Sequence, residues 1–112
     1  MHQLFVTTCQ VQPGRMQELF TDVQNWEHAA MESADAPEYH AVYIRQTDPS
    51  HVLVITQFDD KERADAFVAA GHLQEFHEGI LSCAVGEPQE ERYELFYASG
   101  SGGPRVIFGE ET

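Results

Sequence analysis

The stretch that decides the fold is His51–Ile80, HVLVITQFDDKERADAFVAAGHLQEFHEGI. Its first part, Val52–Phe58, is an almost unbroken apolar run rich in β-branched residues, which is typical of a strand covered on both faces. The two aspartates that follow predict the start of a helix, because an aspartate carboxylate accepts hydrogen bonds from the free N–H groups of a first helical turn. Gly71 then predicts a break between two amphipathic helical pieces. A buried strand that leads into a helix with two histidines and two phenylalanines is where the sequence predicts a site.

The segments on either side of this stretch complete a regular order of elements. Leu4–Val11 alternates in part and predicts strand one, and Tyr39–Gln46 predicts strand two. Between them, apolar residues recur at steps of three and four from Met16 to Ala30, which predicts an amphipathic helix. Asp48-Pro49-Ser50 predicts a turn that joins strands two and three in a hairpin, and Arg92–Ala98 alternates as strand four.

The predicted order β-α-β-β-α-β is typical of an α+β, ferredoxin-like fold: a four-stranded antiparallel sheet with both helices on one face. Strand three is apolar on both sides, and a chain of 112 residues has nothing left to cover the second face. Pairing of two such sheets would cover it. The sequence therefore predicts a homodimer with two-fold symmetry.

Composition limits the classes of function. The length predicts one domain at residues 1–98, and the net charge of −13 disfavours nucleic-acid binding. No apolar run is long enough to cross a membrane, and the first residues lack an export signal, so a cytoplasmic location is expected. Two cysteines are too few for a disulfide framework. Residues 99–112 begin with a Gly/Ser linker and end in a tail whose apolar Val106–Phe108 either docks as an extra edge strand, for example on the partner subunit, or forms a frayed terminus.

The candidate residues for chemistry lie mainly in the second helical region. His72 and His77 are five residues apart, so they do not form a paired metal site on one helix face. Each could bind a ligand or carry a proton, or be a half-exposed histidine without a task. Trp26 and Phe67 lie on inward stripes and either pack the core or line a pocket for a planar ligand. Tyr43 shares one face of strand two with Tyr39 and either binds a ligand or packs.

The sequence resembles the antibiotic biosynthesis monooxygenase family, small dimeric α+β barrels, over about residues 3–97. The resemblance is carried by the order and spacing of four segments: Val11–Gly14, Asp48–Pro49, Phe58–Glu62 and Gly71–Leu73. It departs at Phe58, where the family usually has tryptophan. Members of one kind oxidise polycyclic phenols or quinols with O₂ and need neither metal nor flavin, and others degrade haem.

The resemblance to the haem-degrading branch is partial. His77 falls where that branch has its iron-ligating histidine. Phe67 falls at a ring-distorting tryptophan, and Thr7 at an asparagine beside the haem, so two of the three positions depart. The resemblance thus puts haem degradation in doubt and leaves haem as a cofactor to be tested.

The function expected from the resemblance is a cofactor-independent monooxygenase for a small aromatic phenol or quinol. His72 is the expected base or orienting donor, since imidazole titrates in the useful range. Trp26, Phe67 and Phe76 would form the pocket walls, and Tyr43 would anchor an oxygen atom. Two alternatives stay open: haem binding or degradation through His77, and a non-catalytic dimer that binds a small molecule or supports another enzyme.

Overall fold

The computed structural model describes residues 2–99. Its elements, in chain order, are β1 (Gln3–Gln10), α1 (Met16–Met31), β2 (Tyr39–Arg45), β3 (Asp48–Phe58), α2 (Lys61–Ala69), α3 (His72–Leu81) and β4 (Gln89–Glu94). The strands form one antiparallel sheet in the order β2-β3-β1-β4. The predicted ferredoxin-like fold is confirmed. The predicted docking of the C-terminal tail falls on residues outside the described part, apart from Ser99.

The two central strands, β1 and β3, divide their side chains between the two faces of the sheet. In β1 every second residue from Gln3 to Cys9 is buried, and in β3 every second residue from Val52 to Phe58 is buried. The apolar residues among them pack under the helices in two clusters, one around Leu19 and Ile80 and one around Phe58 and Phe67. The core therefore lies on one face of the sheet, as the period of two along each strand requires.

The start of α2 and the break before α3 follow the sequence signals. The Asp60 carboxylate accepts a hydrogen bond from the backbone N–H of Arg63 at 2.8 Å, which caps the first turn of α2. Gly71 has φ 86°, in the left-handed region that favours glycine, and it separates α2 from α3. The change in chain direction places the N-terminus of α3 against α1.

Two predicted boundaries are wrong. Asp48-Pro49-Ser50 is the beginning of β3 and not the turn, which falls immediately before it, after a register shift at Ile44/Arg45. The Asp48 carboxylate does accept the Ser50 N–H at 3.2 Å, so the local turn contact forms within an extended chain. Strand four runs from Gln89 to Glu94 and not from Arg92 to Ala98.

The face of the sheet opposite the helices, here called the outer face, has no covering layer in the described residues. Leu53 and Ile55 of β3 are half-buried there, so a single chain does not cover β3 on both faces. Tyr39, Tyr43 and Tyr93 are about half exposed. Within residues 2–99, no helix combines the length and apolar character needed to span a bilayer.

Candidate functional site

Four aromatic side chains meet between the helices and the sheet. The Trp26 ring lies 4.7 Å from Phe76 and 5.9 Å from Phe67, and Phe67 lies 4.9 Å from Phe58, measured between ring centroids. Phe67 is 0% exposed and Phe76 is 2% exposed. The three predicted pocket walls are thus brought together. They pack on one another, as the alternative of core packing predicts.

Trp26 also joins α1 to the start of α3. Its indole N–H donates a hydrogen bond to the backbone carbonyl of His72 at 2.8 Å. The His72 imidazole lies 5.0 Å from the Phe67 ring, with Nδ1 3.6 Å from a Glu75 carboxylate oxygen. The His72 side chain is 22% exposed, so it remains accessible at the edge of the aromatic cluster.

A third histidine, His40, belongs to this cluster and was not predicted. Its Nδ1 lies 3.1 Å from the Thr56 hydroxyl, and its ring lies 5.1 Å from Trp26. Its Nε2 is buried without a hydrogen-bond partner in the structure. Burial lowers the pKa of His40 below its ordinary 6.5, against a smaller opposite effect of the Glu27 charge. The one signal in the sequence that could have identified His40 is the alternation of β2, which places this residue on the helix side of the sheet.

We expect the stability of the protein to fall in acid through His40. Because its pKa is lowered in the folded state, the unfolded chain gains a proton first, and the stabilising contribution present above pH 6.5 is lost as the pH falls. His40→Asn, which keeps a hydrogen-bond donor near Thr56, should make the free energy of unfolding depend less on pH in this range. The measurement is urea denaturation between neutral and mildly acidic pH. An unchanged slope in the variant would contradict the assignment.

The cavity best placed for a ligand lies beside the aromatic cluster, between β1, β4 and the α2–α3 corner. This β4 cavity has a volume of about 250 Å³ and is lined by Phe5, Thr7, Val68, Leu73, Glu90 and Arg92, among others. Its walls are apolar apart from a hydroxyl, two carboxylates and a guanidinium. Small-molecule sites usually have this form, an apolar hollow with a few polar groups.

The polar groups of the β4 cavity are held by hydrogen bonds. Arg92 donates to Gln3 at 2.9 Å and to Asp65 at 2.7 Å, and its guanidinium carbon lies 5.0 Å from the Phe5 ring centroid. Thr7, predicted as a ligand contact, lines the cavity. Glu90 and Arg92 were not predicted as site residues, because the sequence places them in an acidic, polar segment.

His77 lies next to this cavity and is bound by two carboxylates. Its Nδ1 is 2.9 Å from Glu90 Oε2, and its Nε2 is 3.2 Å from Glu87 Oε1. Partial burial acts to lower the pKa of His77, but the hydrogen bonds and charges of Glu90 and Glu87 outweigh it and raise the pKa above 6.5. Glu90 and Glu87 therefore stabilise the charged form of His77 relative to an imidazole in water.

These residues do not fit haem. An iron ligand must offer a neutral ring nitrogen with a free lone pair, and both nitrogens of His77 contact carboxylates. Phe67, at the position of the ring-distorting tryptophan, is fully buried among other side chains. A haemin titration with His77→Ala as control measures this directly, and we expect no saturable Soret shift that depends on His77.

The structure does not bring Tyr43 to the other predicted site residues. Register pairs Tyr43 with Leu53 and His40 with Thr56, so these two β2 side chains lie on opposite faces of the sheet. Tyr43 is on the outer face, where a hydrogen bond with Tyr39 raises its pKa. Within one chain it cannot anchor an oxygen atom in the β4 cavity, because successive strand residues alternate in direction.

One group of potential metal ligands exists among the described residues. Ligand atoms of Glu18, Asp22 and Cys83 lie within 4.8 Å of one another. Arg15 already pairs with Glu18, and burial raises the pKa of the Cys83 thiol, which disfavours the thiolate that a metal needs. The arrangement does not favour a metal site.

Two other hollows are less suited to chemistry. The α1–β2 groove, about 300 Å³, is lined by apolar residues such as Leu19, Val23 and Val42, and offers no acid or base. A cavity of about 420 Å³ includes Leu4 and Tyr93 of the outer face, which the predicted dimer would cover. Among these three, the β4 cavity is the one lined by Thr7, a site residue predicted from the sequence, together with a carboxylate and a guanidinium.

Comparison with solved structures supports the fold. A candidate antibiotic biosynthesis monooxygenase from Deinococcus radiodurans has a TM-score of 0.71 at 14% identity and covers 90% of this chain and 99% of its own. A conserved protein from Methanosarcina mazei Go1 has a TM-score of 0.70 at 17% identity, with 83% and 91% covered. A further candidate monooxygenase, from Bordetella bronchiseptica, has a TM-score of 0.67 at 16% identity, with 84% and 96% covered.

Comparison with curated proteins finds no significant match. The profile of one family, described as antibiotic biosynthesis monooxygenase, matches residues 4–79, which is more than half of the chain and includes the helix-side aromatic cluster. The chain belongs to the antibiotic biosynthesis monooxygenase family.

Proposed function

We propose that the protein oxidises a small aromatic phenol or quinol with O₂ and uses neither metal nor flavin. The observation that carries this proposal is the β4 cavity, an apolar hollow with a carboxylate and a guanidinium on one wall. Its volume of about 250 Å³ suits a ligand of one or two rings. Family membership favours oxygen chemistry, and the cavity supplies the means to bind a ring and ionise its hydroxyl group.

The proposed reaction requires only a bound, ionised substrate. Removal of the hydroxyl proton makes the ring electron-rich enough to give electrons to O₂. One oxygen atom then replaces a ring hydrogen as a carbonyl oxygen and the other leaves as water, so that a phenol and O₂ give a quinone and water. Phe5, Val68 and Leu73 would hold the ring, and the Arg92 guanidinium would stabilise negative charge on the substrate oxygen.

His72 enters this proposal as the orienting donor. It precedes Leu73, which lines the cavity, and its imidazole is partly exposed. His72→Ala should lower kcat/KM about tenfold or more, in the range of a lost hydrogen bond to a substrate, with a small loss of stability because the side chain is not fully buried. Quinol turnover and urea denaturation measure the two effects. Equal turnover in both proteins would remove His72 from the mechanism.

The test of the function is oxygen uptake by the purified protein with a panel of phenols and quinols. We expect substrate-dependent uptake and formation of the quinone without added metal or flavin, and no effect of a chelator. Absence of uptake across the panel, together with binding of the same compounds, would favour the non-catalytic small-molecule-binding dimer. Absence of both would favour a structural role.

The homodimer is part of the proposal. Half-exposed tyrosines and half-buried aliphatic residues of the outer face support it, because this apolar surface lacks a cover within one chain. Ile55→Glu on the outer face should give monomers in analytical ultracentrifugation. Leu81→Glu, on the helical side and 39% exposed, should leave the dimer intact. Monomeric wild-type protein would contradict the proposal.

A further inference from the structure

A continuous chain of acidic and basic groups leads from the β4 cavity to solvent. Glu90 lines the cavity from β4. Its Oε2 is 2.9 Å from Nδ1 of His77 on α3, and Nε2 of the same ring is 3.2 Å from Oε1 of Glu87. The first distance is that of a charge-assisted hydrogen bond, and the second lies at the long end of the range for an N–H···O bond. One imidazole therefore connects a carboxylate at the cavity with a second carboxylate outside it.

The last group of this chain is the most exposed of the three. The side chains of His77 and Glu90 are 23% and 32% exposed, whereas Glu87 is 72% exposed. A proton that reaches His77 can therefore be returned to water through Glu87 without crossing the cavity. The two nitrogens of imidazole can each give or accept a proton, which suits His77 to the middle position.

The two carboxylates also make His77 a stronger base. Partial burial opposes the charged ring, but the hydrogen bonds and charges of Glu90 and Glu87 prevail and raise the pKa of His77 above 6.5. A proton acceptor is most effective when its pKa lies near the working pH.

We propose that Glu90 and His77 together accept the proton of a hydroxyl group bound in the β4 cavity, and that Glu87 returns this proton to solvent. The inference rests on the proposed function, since it supplies the proton acceptor for the same phenol or quinol. In the step, the O–H bond of the ligand breaks and its electron pair stays on the ring oxygen. The proton is taken up by the Glu90–His77 pair, so charge is conserved.

Other charged groups near the pair are already engaged. Arg92, two residues from Glu90 on the same face of β4, donates to Asp65 of α2, and Asp65 also pairs with Lys61 at 3.0 Å. The Glu91 carboxylate accepts a hydrogen bond from the Tyr93 hydroxyl. The groups in direct contact with His77 are thus Glu90 and Glu87, and Arg92 is the cation next to Glu90 that can stabilise the phenolate left behind.

The first experiment is the pH dependence of kcat/KM for quinol oxidation. In the wild-type protein we expect kcat/KM to rise with pH through a pKa above 6.5, as His77 loses its proton. Glu90→Gln and His77→Asn should lower kcat/KM by about 10²–10⁴-fold, the usual contribution of a general base, and remove this rise. His28→Asn is the matched control, because His28 contacts Glu32 on the surface and is 83% exposed.

The second experiment does not depend on oxygen chemistry. 4-Nitrophenol is too electron-poor to react with O₂, and its phenolate absorbs in the visible whereas the neutral phenol does not. At a pH below the pKa of the free compound, wild-type protein should bind it as the phenolate. Glu90→Gln, which keeps the size of the side chain and a hydrogen bond to His77, should bind it as the neutral phenol.

The two experiments separate this inference from the proposed function. Phenolate formation that is lost in Glu90→Gln supports the acceptor pair even if no quinol is oxidised. Quinol oxidation with an unchanged pH profile in both Glu90→Gln and His77→Asn overturns the pair and leaves the oxygenase standing. Circular dichroism of each variant confirms that the comparison is made between folded proteins.

Discussion

Phe67→Ala is expected to lower the free energy of unfolding by about 3–5 kcal/mol, the range for truncation of a buried phenylalanine. The ring is 0% exposed and contacts Phe58, Trp26 and His72. Its removal leaves a void in the cluster that joins α2 to the sheet. Since domains of this size are stable by only about 5–15 kcal/mol, the loss is a large part of the total.

Urea denaturation followed by tryptophan fluorescence measures this loss, because Trp26 is the only tryptophan and its ring lies 5.9 Å from Phe67. Phe20→Ala is the matched control. Phe20 is 47% exposed on α1, and its truncation should cost less than about 1.5 kcal/mol. A similarly small effect of Phe67→Ala would show that the ring faces an open pocket and does not hold the core together.

The elements governed by apolar burial could be predicted from the sequence. The strands at Leu4–Val11 and Val52–Phe58, the Asp60 cap and the Gly71 break each follow from a local rule and are found where it places them. Burial alternates along β3, however, whereas its continuous apolar run predicts a strand covered on both faces. The hairpin turn could not be placed correctly. Pro49 has no N–H group and therefore resembles a turn residue. It lies at the start of β3 beside a register shift, where the missing N–H group costs the sheet no hydrogen bond.

Strand β4 shows why the site was only partly predicted. Its sequence, QEERYE, is exposed at every position, and backbone pairing with β1 holds it in the sheet. Charged residues are common on edge strands, where they oppose aggregation, and they give no apolar signal. The sequence therefore predicts a strand too far along the chain and misses Glu90 and Arg92, which face the cavity only because β4 pairs there.

The candidate residues selected by helix periodicity meet in the structure, whereas a candidate selected for an expected chemical role does not join them. Trp26, Phe67 and Phe76 do meet, because their inward stripes define a common interior. The packing of Trp26 and Phe76 against His40 could not be foreseen, since it depends on the register of β2 against β3. Tyr43 lies on the outer face of the sheet for the same reason. Successive strand residues point to opposite faces, so the register of the strand, and not the role expected of a residue, decides which face the side chain occupies.

Leu73→Trp is expected to lower kcat/KM for quinol oxidation by about 100-fold, which corresponds to about 2.7 kcal/mol of transition-state stabilisation. Leu73 lines the β4 cavity of about 250 Å³ at the start of α3. An indole in this place would fill space that the substrate ring needs. Because the added atoms enter a cavity and not a packed core, we expect the protein to remain folded with little change in stability.

Val42→Trp provides the matched control for the position of the site. It introduces the same side chain into the α1–β2 groove, a hollow of about 300 Å³ on the other side of the aromatic cluster. Oxygen uptake and ligand binding should be unchanged in this variant. The opposite pattern, loss of activity in Val42→Trp and retention in Leu73→Trp, would move the substrate to the groove. His40, the unpredicted histidine on the same face of β2, would then replace Glu90 and His77 as the group nearest the reacting oxygen.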